Sequence, residues 1–222
     1  MRELNQLFIL AALWLTAIPT YADTPTILVF GDSISAGYGL PHVEQGWVAL
    51  LQARLKQEGY GYEVVNASVS GETTGGGLAR LPRALSLHHP SVVIVELGGN
   101  DGLRALPIAS MRANLSRMAE LATAAGAKVL LLGIRIPPNY GPQYTGEFSG
   151  VYADVAHDEH LALVPFVLNG VALTPSLMQE DGIHPNEAGQ PRLLENVWPA
   201  LTPLLKPTAH PPLRKGGASG TP

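Results

Sequence analysis

Short apolar segments alternate with longer amphipathic segments through most of the chain. The apolar segments are four or five residues long and rich in β-branched side chains, which is typical of buried β-strands. The segment Val-Val-Ile-Val at residues 92–95 is apolar at every position, as expected where helices cover both faces of a parallel sheet. The pattern predicts strands at residues 26–30, 62–65, 92–95, 129–132 and 163–166.

The segments between these strands have the periodicity of amphipathic helices. Residues 47–56 place Leu51 and Leu55 on one helical face. The helix at residues 108–125 is expected to end at Gly126. A helix therefore separates each pair of consecutive strands. The remaining helices are predicted at residues 78–87, 148–157 and 186–204.

Strict alternation of strand and helix predicts an α/β fold with a doubly wound parallel sheet. We expect a flavodoxin-like three-layer α/β/α sandwich with five parallel strands in the order 2-1-3-4-5. A dinucleotide-binding order is disfavoured because a sixth strand is not predicted and no G-x-G-x-x-G motif follows the first strand. In such sheets ligands bind beyond the carboxyl ends of the strands, so the residues that follow each strand are the candidates for function.

Composition restricts the classes of function. The 222 residues suffice for one domain with a sizeable core, and 46% hydrophobic against 14% charged residues indicates a globular protein. The formal net charge of −4 argues against a nucleic-acid-binding surface. Because the chain has no cysteine, disulfides, thiol catalysis and cysteine-ligated metals are excluded.

The amino-terminal segment has the organisation of a targeting signal. Arg2, the apolar run at residues 7–18 and the small-x-small motif at residues 20–22 predict a signal peptide over residues 1–22, cleaved before Asp23. A membrane anchor is the alternative, and it is disfavoured because the run is too short to span a bilayer. The protein is therefore expected in the periplasm or secreted, without stable insertion into a membrane.

The carboxy-terminal segment differs from the rest in composition. Residues 206–222 hold four prolines, three glycines and three positive charges. This composition predicts a disordered basic tail. Contact of the tail with anionic lipid or wall polymer is an alternative, but a solvated end without a function is favoured. The predicted globular domain is then residues 23–205.

Residues with catalytic potential follow the first two predicted strands. Ser33 lies in a Gly-Asp-Ser turn at residues 31–33, where its hydroxyl can be exposed to a substrate; an ordinary helix N-cap is the alternative. Gly71 follows the second strand and can offer its backbone amide to a ligand. A flexible turn is the alternative there, and a phosphate-binding loop is disfavoured because the Lys-Ser/Thr ending is absent.

Further candidates follow the third and fifth predicted strands. Asn100 has a short amide side chain that can donate a hydrogen bond, and a turn-forming Asn is the alternative. Asp181 and His184 are three positions apart on one loop. The Asp181 carboxylate can therefore hold the imidazole Nδ1 and leave Nε2 free as a base. The alternative is an N-capping Asp beside a surface His.

Together these residues supply a nucleophile, oxyanion donors, a base and an orienting acid at one edge of the predicted sheet. Such a set predicts acyl transfer in two steps through an acyl-enzyme, with neither a metal nor a cofactor. The His-Asp-Glu-His sequence at residues 157–160 lacks the H-E-x-x-H spacing of a metal site and is interpreted as a charged helical face.

Several sequence blocks resemble those of the SGNH (GDSL) hydrolases. These blocks are Gly-Asp-Ser at residues 31–33, Gly71, Gly-Gly-Asn-Asp at residues 98–101 and Asp-Gly-Ile-His-Pro at residues 181–185. The likeness runs from residue 26 to residue 205 and is closest to the bacterial periplasmic branch of acyl-CoA thioesterases, lysophospholipases and arylesterases. The stretches at residues 66–68, 77–82, 95–104 and 138–141 also resemble that branch.

The resemblance implies roles for individual residues. Ser33, Asp181 and His184 would form the catalytic triad, and the Ser33 amide, the Gly71 amide and the Asn100 side chain would form the oxyanion hole. The substrate would be a small-molecule acyl ester or thioester, with no metal or cofactor, and we expect a monomer. The loop after Asn100 would line the acyl groove, with Asp101, Gly102, Leu103, Leu106, Pro107 and Ile108 as its substrate-binding residues.

Two rival functions remain open. A carbohydrate or cell-wall acetylesterase of the same superfamily would use the same catalytic residues. A flavodoxin-like binding protein would use the glycine-rich loops to hold a ligand without turnover. Labelling by a fluorophosphonate separates an enzyme from a binding protein, and hydrolysis of long-chain aryl esters against acetylated sugars separates the two enzymes.

Overall fold

The computed structural model describes residues 24–206. The predicted signal peptide at residues 1–22 lies outside the described residues, and so does the predicted tail at residues 206–222 apart from Lys206. Within residues 24–206, no helix is long and apolar enough to cross a membrane.

Parallel strands form the central sheet. They are β1 Thr26–Gly31, β2 Glu63–Asn66, β3 Val92–Glu96, β4 Lys128–Leu132 and β5 Ala162–Val164. Their order is β2-β1-β3-β4-β5, and every neighbouring pair is parallel. The predicted α/β class and the predicted strand order are therefore confirmed. The order reverses at β1 and β3, which is the place where sheets of this kind bind ligands.

Helices cover both faces of the sheet. They are α1 Ser33–Ala36, α2 Trp47–Gln57, α3 Thr74–His88, α4 Gly99–Leu103, α5 Ile108–Ala124, α6 Pro142–Asp158 and α7 Gln190–Leu201. α2 packs against α7, while α5 packs against both α3 and α6. This arrangement is the predicted three-layer sandwich. The short helices α1 and α4 begin just after β1 and β3, so they lie at the carboxyl edge of the sheet.

The core is built on the two central strands. Residues 27–30 of β1 and residues 92–95 of β3 are all buried. Each fully buried aliphatic or aromatic side chain of this kind contributes about 1.5–3 kcal/mol to folding. Ser33 and Asn100 therefore follow strands that are anchored in the core.

One helix begins earlier than predicted because its glycines are helical. α3 starts at Thr74 rather than at residue 78, and the hydroxyl of Thr73 caps it. Gly77 lies so close to the sheet that a Cβ there would come within 2.5 Å of the Leu97 side chain. Close helix–sheet packing therefore outweighs the low helix propensity of glycine.

Two other helix starts also differ from the prediction. α6 begins at Pro142 rather than at residue 148, because proline is well tolerated in the first turn of a helix. α7 begins at Gln190 rather than at residue 186, because the side chain of Asn186 caps a separate 3₁₀ turn that comes first.

Candidate active site

The turn after β1 presents Ser33 at the carboxyl edge of the sheet. Ser33 is the first residue of α1, and Asp32 is the N-cap, with its Oδ1 accepting the Ile34 amide at 3.1 Å. The alternative that Ser33 is merely the N-cap is therefore wrong. Gly37 ends this short helix in the left-handed conformation, with φ of 75°. The turn stays tight, and Ser33 lines an open cavity.

A continuous chain of hydrogen bonds joins Ser33 to the loop after β5. The Ser33 Oγ is 2.9 Å from the His184 Nε2, and the His184 Nδ1 is 2.6 Å from the Asp181 Oδ2. The other oxygen of Asp181 accepts the amides of Ile183 at 2.9 Å and His184 at 3.0 Å. Ser33 is thus brought to the distant pair Asp181 and His184, in the order nucleophile, base and orienting acid.

The loop that carries His184 is held by its own backbone and by amide side chains, among them that of Asn186. The Gln179 amide donates to the His184 carbonyl at 2.8 Å, and Met178 and Pro185 form an isolated antiparallel bridge. The Asn186 side chain donates to the carbonyl of Met178 at 3.1 Å. These bonds fix the position of the imidazole, although the loop has no regular secondary structure.

The Asp181 carboxyl is ionised at neutral pH. Its partial desolvation acts to raise the pKa, but the hydrogen bonds from the His184 amide, the His184 ring and the Ile183 amide outweigh it and lower the pKa to about 2. An ionised Asp181 favours the His184 tautomer that carries its proton on Nδ1. The Nε2 lone pair is then directed at the Ser33 hydroxyl, so the arrangement can remove the hydroxyl proton.

Gly71 lies in a turn that leaves its amide free for a ligand. Its φ is 78°, a left-handed conformation that glycine adopts without strain. The Glu72 amide closes the turn on the Val69 carbonyl at 3.1 Å, and Arg104 donates to the Gly71 carbonyl at 3.0 Å. The Gly71 amide itself has no hydrogen-bond partner within residues 24–206. Gly71 lines the same cavity as Ser33.

Asn100 lines the cavity as well, but its amide is already engaged. The Nδ2 donates to the Asp32 Oδ2 at 3.1 Å and to the Glu72 carbonyl at 3.0 Å. These bonds use both hydrogens of the side-chain amide. Donation to a ligand would therefore require Asn100 to exchange one of them, a requirement that the sequence did not reveal.

The cavity beside Ser33 and His184 is about 540 Å³ in volume and is mainly apolar. Most of its apolar lining follows β4 and β5, two strands whose carboxyl ends lie at the same edge as that of β1. The sequence interpretation missed the segment after β4, although its position at a strand end was the available signal. The lining from these segments includes Ile134, Ile136, Phe166, Leu168, Leu173 and Met178.

Comparison with known families identifies the chain. The model of the GDSL-like lipase/acylhydrolase family matches residues 29–192. The chain belongs to this family. The match begins within β1, spans the other four strands, and includes Ser33, Asp181 and His184. The resemblance to the SGNH hydrolases and the predicted class, a serine hydrolase that acts on esters, are thereby confirmed.

The GDSL-like hydrolase has relatives that are named as an esterase and as a thioesterase/lysophospholipase. It is 57% identical over 202 residues to the esterase TesA of Pseudomonas aeruginosa, which covers 91% of this chain and 100% of the relative. It is 42% identical over 184 residues to the thioesterase 1/protease 1/lysophospholipase L1 of Escherichia coli K12, covering 83% of this chain and 86% of the relative. A crystal structure of TesA superposes with a TM-score of 0.79 at 62% identity, covering 81% of this chain and 99% of that one.

Of the six residues that were predicted to bind substrate in this hydrolase, Leu103 lines the cavity. Asp101 is buried, and its carboxylate accepts the Thr74 amide at 2.8 Å and the Thr74 hydroxyl at 2.5 Å. Gly102 is buried where a Cβ would come within 2.6 Å of Phe148. The structure therefore places Asp101 at the start of α3 and Gly102 beneath α6, behind the cavity.

The other three predicted substrate-binding residues lie farther along the same loop. Leu106 and Pro107 are exposed, and neither lines the cavity. Ile108 is the first residue of α5 and packs against the core. The structure brings Leu103 to the cavity and leaves these three outside its lining.

Two buried acids beneath Ser33 were not foreseen. Glu96, at the end of β3, is fully buried, and its Oε2 accepts the Ser35 hydroxyl at 2.7 Å. Burial and the nearby Asp32 raise the pKa of Glu96 well above its usual range. Burial raises the pKa of Asp32 to about 6, against the opposing hydrogen bond from the Ile34 amide. The turn that carries Ser33 therefore lies over two carboxyl groups whose ionised forms are disfavoured by burial.

The His-Asp-Glu-His sequence at residues 157–160 lies at the end of α6. His157 is exposed, and its Nδ1 is 3.1 Å from the neighbouring Asp158 carboxylate. In the part of the chain that the structure describes, no three His, Cys, Asp or Glu side chains form a group that could hold a metal ion.

Proposed function

We propose that the protein hydrolyses carboxylic esters and thioesters of apolar acyl chains. In this proposal Ser33 is the nucleophile, His184 is the general base and acid, and Asp181 orients His184. The observation that carries the proposal is the hydrogen-bonded chain from Ser33 through His184 to an ionised Asp181, located at the wall of a mainly apolar cavity. A binding protein without turnover would have no need of this alignment.

The first half of the reaction acylates Ser33. As Oγ attacks the acyl carbonyl carbon, its proton moves to the Nε2 of His184, and the carbonyl oxygen becomes an oxyanion. The carbon–oxygen or carbon–sulfur bond to the leaving group then breaks, and Nε2 returns the proton to that group. In the second half, water repeats the attack on the acyl-enzyme, with His184 again as the base, and releases the carboxylic acid and free Ser33.

The oxyanion is stabilised by the amides of Ser33 and Gly71 and by the side chain of Asn100. The free Gly71 amide supports this assignment. Asn100 takes part by exchanging its bond to Asp32 or to the Glu72 carbonyl for one to the oxyanion. This exchange is favourable in the transition state because a hydrogen bond to a charged oxygen is about twice as strong as a neutral one.

The lining of the cavity supports an apolar acyl group rather than an acetylated sugar. The side chains after β4 and β5 offer few hydrogen-bonding groups for carbohydrate hydroxyls. The relatives named esterase TesA and thioesterase 1/lysophospholipase L1 support both ester and thioester substrates.

The protein acts without a cofactor, as a monomer, in the periplasm or outside the cell. All three members of the proposed triad come from one chain, which supports a site that needs no second copy. The signal peptide predicted over residues 1–22 supports the location.

Fluorophosphonate labelling and ester hydrolysis test the nucleophile. Ser33→Ala should keep the parent's melting temperature, lose labelling and lose at least about 10³-fold in kcat on a nitrophenyl ester. Ser110→Ala, at an exposed serine of α5, is the control and should be labelled at the normal rate. Hydrolysis retained by a folded Ser33→Ala variant would overturn the proposal.

A substrate panel tests the acyl group. Nitrophenyl octanoate and octanoyl-CoA should give a higher kcat/KM than nitrophenyl acetate or acetylated xylan, because a longer chain buries more apolar surface in the cavity. A preference for acetylated xylan would instead establish the acetylesterase.

A further inference from the structure

Large apolar side chains that face solvent are concentrated around the mouth of the cavity. Tyr38, Leu173 and Ile183 are exposed and also line the cavity, and exposed Val69 directly precedes the cavity residues at 70–71. We call these four residues the apolar rim. Leu173 is 97% exposed and Tyr38 is 54% exposed. Elsewhere in residues 24–206 the exposed large hydrophobic side chains are Val43, Leu87 and Leu106.

Single exposed apolar residues are common on soluble proteins, but a cluster of them marks an interaction surface. Leu173 is the clearest case, because a leucine that is almost wholly exposed contributes nothing to the core. Tyr38 is held in place by its ring contact with His184, at 4.7 Å between centroids. Tyr38 is thus joined to the loop that carries Ile183 and His184.

Two arginines at the rim lack acidic partners. Arg135 is exposed at the cavity, where its guanidinium lies 4.8 Å from the centre of the Phe166 ring. Arg104 donates to the Gly71 carbonyl and forms no ion pair within residues 24–206. Four arginines away from the rim pair with carboxylates, namely Arg54, Arg80, Arg112 and Arg117. Arg83 on α3 and Arg192 on α7 form no ion pair within residues 24–206 either, but neither lines the cavity.

We propose that the apolar rim, with Arg135 and Arg104, docks the protein on the surface of lipid aggregates whose phosphate headgroups carry a net negative charge. Apolar side chains beside unpaired cations are the composition that binds an anionic lipid surface. An acyl chain can then pass from the aggregate into the cavity without crossing water. Docking itself does not depend on the proposed function, and only the hydrolysis of the acyl chain in the cavity rests on it.

The position of the cavity favours lipid over a protein partner. A protein seated on the rim would cover the entrance to Ser33, whereas a lipid surface contains the acyl chains that the cavity accepts. The whole chain carries a net charge of −4, so an anionic surface repels the protein as a whole. The attraction is therefore confined to the apolar rim and its two arginines. Exposed Glu180, on the loop that carries Asp181 and His184, adds to that repulsion.

Co-sedimentation with vesicles tests the proposal separately from catalysis. The full-length Ser33→Ala variant should bind phosphatidylglycerol vesicles more tightly than phosphatidylcholine vesicles. In that background Leu173→Glu should weaken binding at least about tenfold, since it removes the leucine side chain that docking would bury in the lipid. The matched control is Leu87→Glu, a leucine that is 68% exposed on α3 and outside the rim, and it should leave binding unchanged.

The arginine contribution has its own control. Arg135→Gln should weaken binding to phosphatidylglycerol about fivefold, while leaving binding to phosphatidylcholine unchanged. Arg83→Gln, at an exposed arginine of α3 without an ion pair in the described chain, should have no effect. Glu180→Gln should strengthen binding to phosphatidylglycerol.

Three outcomes would overturn the inference. They are absence of binding to either vesicle, an equal loss in Leu87→Glu and Leu173→Glu, and capture of a protein partner through Leu173 without any vesicle binding. None of these depends on turnover, so failure of the docking inference is distinguishable from failure of the proposed function, which wild-type hydrolysis of a soluble nitrophenyl ester tests.

Discussion

Asp32 and Asp181 belong to the same site but have opposite surroundings. Asp32 is 2% exposed beneath the nucleophile turn, whereas the side chain of Asp181 is 38% exposed on the loop after β5. Burial raises the pKa of Asp32 to about 6. Desolvation also acts to raise the pKa of Asp181, but the hydrogen bonds from His184 and Ile183 together outweigh it and lower the pKa to about 2.

The difference shows that the same type of side chain can serve either the catalytic rate or the structure of the fold. Asp181 is fully ionised at neutral pH and holds its charge against the imidazole of His184. Asp32 instead accepts hydrogen bonds from the Ile34 amide and from Asn100, so it ties the nucleophile turn to α4. Its charge is unfavourable to the fold, because burial penalises the ionised form.

Glu96 is a second buried acid and strengthens the contrast with the more exposed Asp181. It is fully buried, and the proximity of Asp32 adds to the effect of burial in raising its pKa. Its Oε1 has no hydrogen-bond partner among the described residues. Two buried carboxyls that disfavour each other's charge therefore lie beneath the nucleophile, while the ionised Asp181 lies on a more exposed loop.

The largest expected effect is at the exposed acid. Asp181→Asn should lower kcat on a soluble nitrophenyl ester on the order of 10⁴-fold, because an amide NH₂ facing Nδ1 stabilises the tautomer that carries its proton on Nε2. That tautomer cannot accept the Ser33 proton. Glu180→Gln, at the adjacent exposed acid, is the control and should keep full activity on this ester. A loss of less than tenfold for Asp181→Asn would remove the contrast between the two aspartates.

A smaller effect is expected at Asn100, which links the buried side to the oxyanion. Asn100→Ala should lower kcat about 10²-fold with little change in KM, because the oxyanion carries more charge than the substrate carbonyl. Asn100→Asp should be worse, because a carboxylate repels the developing charge. Steady-state kinetics separate the two constants, and Asn114→Ala on α5 is the control. A rise in KM at unchanged kcat would make Asn100 a substrate-positioning residue.

The strand order could be predicted because alternating strands and helices restrict the topology to few choices. The start of α3 could not, since the glycines at residues 75–77 have low helix propensity. Their helical state depends on close packing of Gly77 against Leu97, a contact between distant parts of the chain. Local propensity therefore predicts the elements, while tertiary contacts decide their ends.

The candidate site likewise has features that the sequence predicts and features that depend on tertiary contacts. Ser33, Gly71 and Asn100 could be located because polar and small residues after parallel strands meet at one edge. The hydrogen bonds of Asn100 to Asp32 and to the Glu72 carbonyl could not be predicted, because they depend on side-chain geometry. Glu96 was missed because a charged residue at the end of a strand is usually solvent-exposed.

The smallest expected effect is on stability, and it compares the two aspartates directly. The folded pKa of Asp32 lies above its usual value of 3.8, so the folded state retains a proton that the unfolded state releases. Stability that is present below pH 3.8 is then lost as the pH rises through about 6. Asp32→Asn cannot titrate and also removes the repulsion of Glu96, so it should escape this loss.

The melting temperature of Asp32→Asn, minus that of the wild type, should therefore increase between pH 4.5 and pH 7, by about 3–5 °C. The change with pH is the readout, because the substitution also replaces an acceptor of the Asn100 hydrogen bond and shifts stability by a constant amount. Asp181→Asn is the comparison. Its folded pKa is lowered to about 2, so its stabilisation is present above pH 3.8 and lost only in more acidic solution. The melting temperature of Asp181→Asn, minus that of the wild type, should stay constant from pH 4.5 to pH 7. A parallel rise of this difference in both variants would show that ionisation of the buried Asp32 carries no special cost in stability.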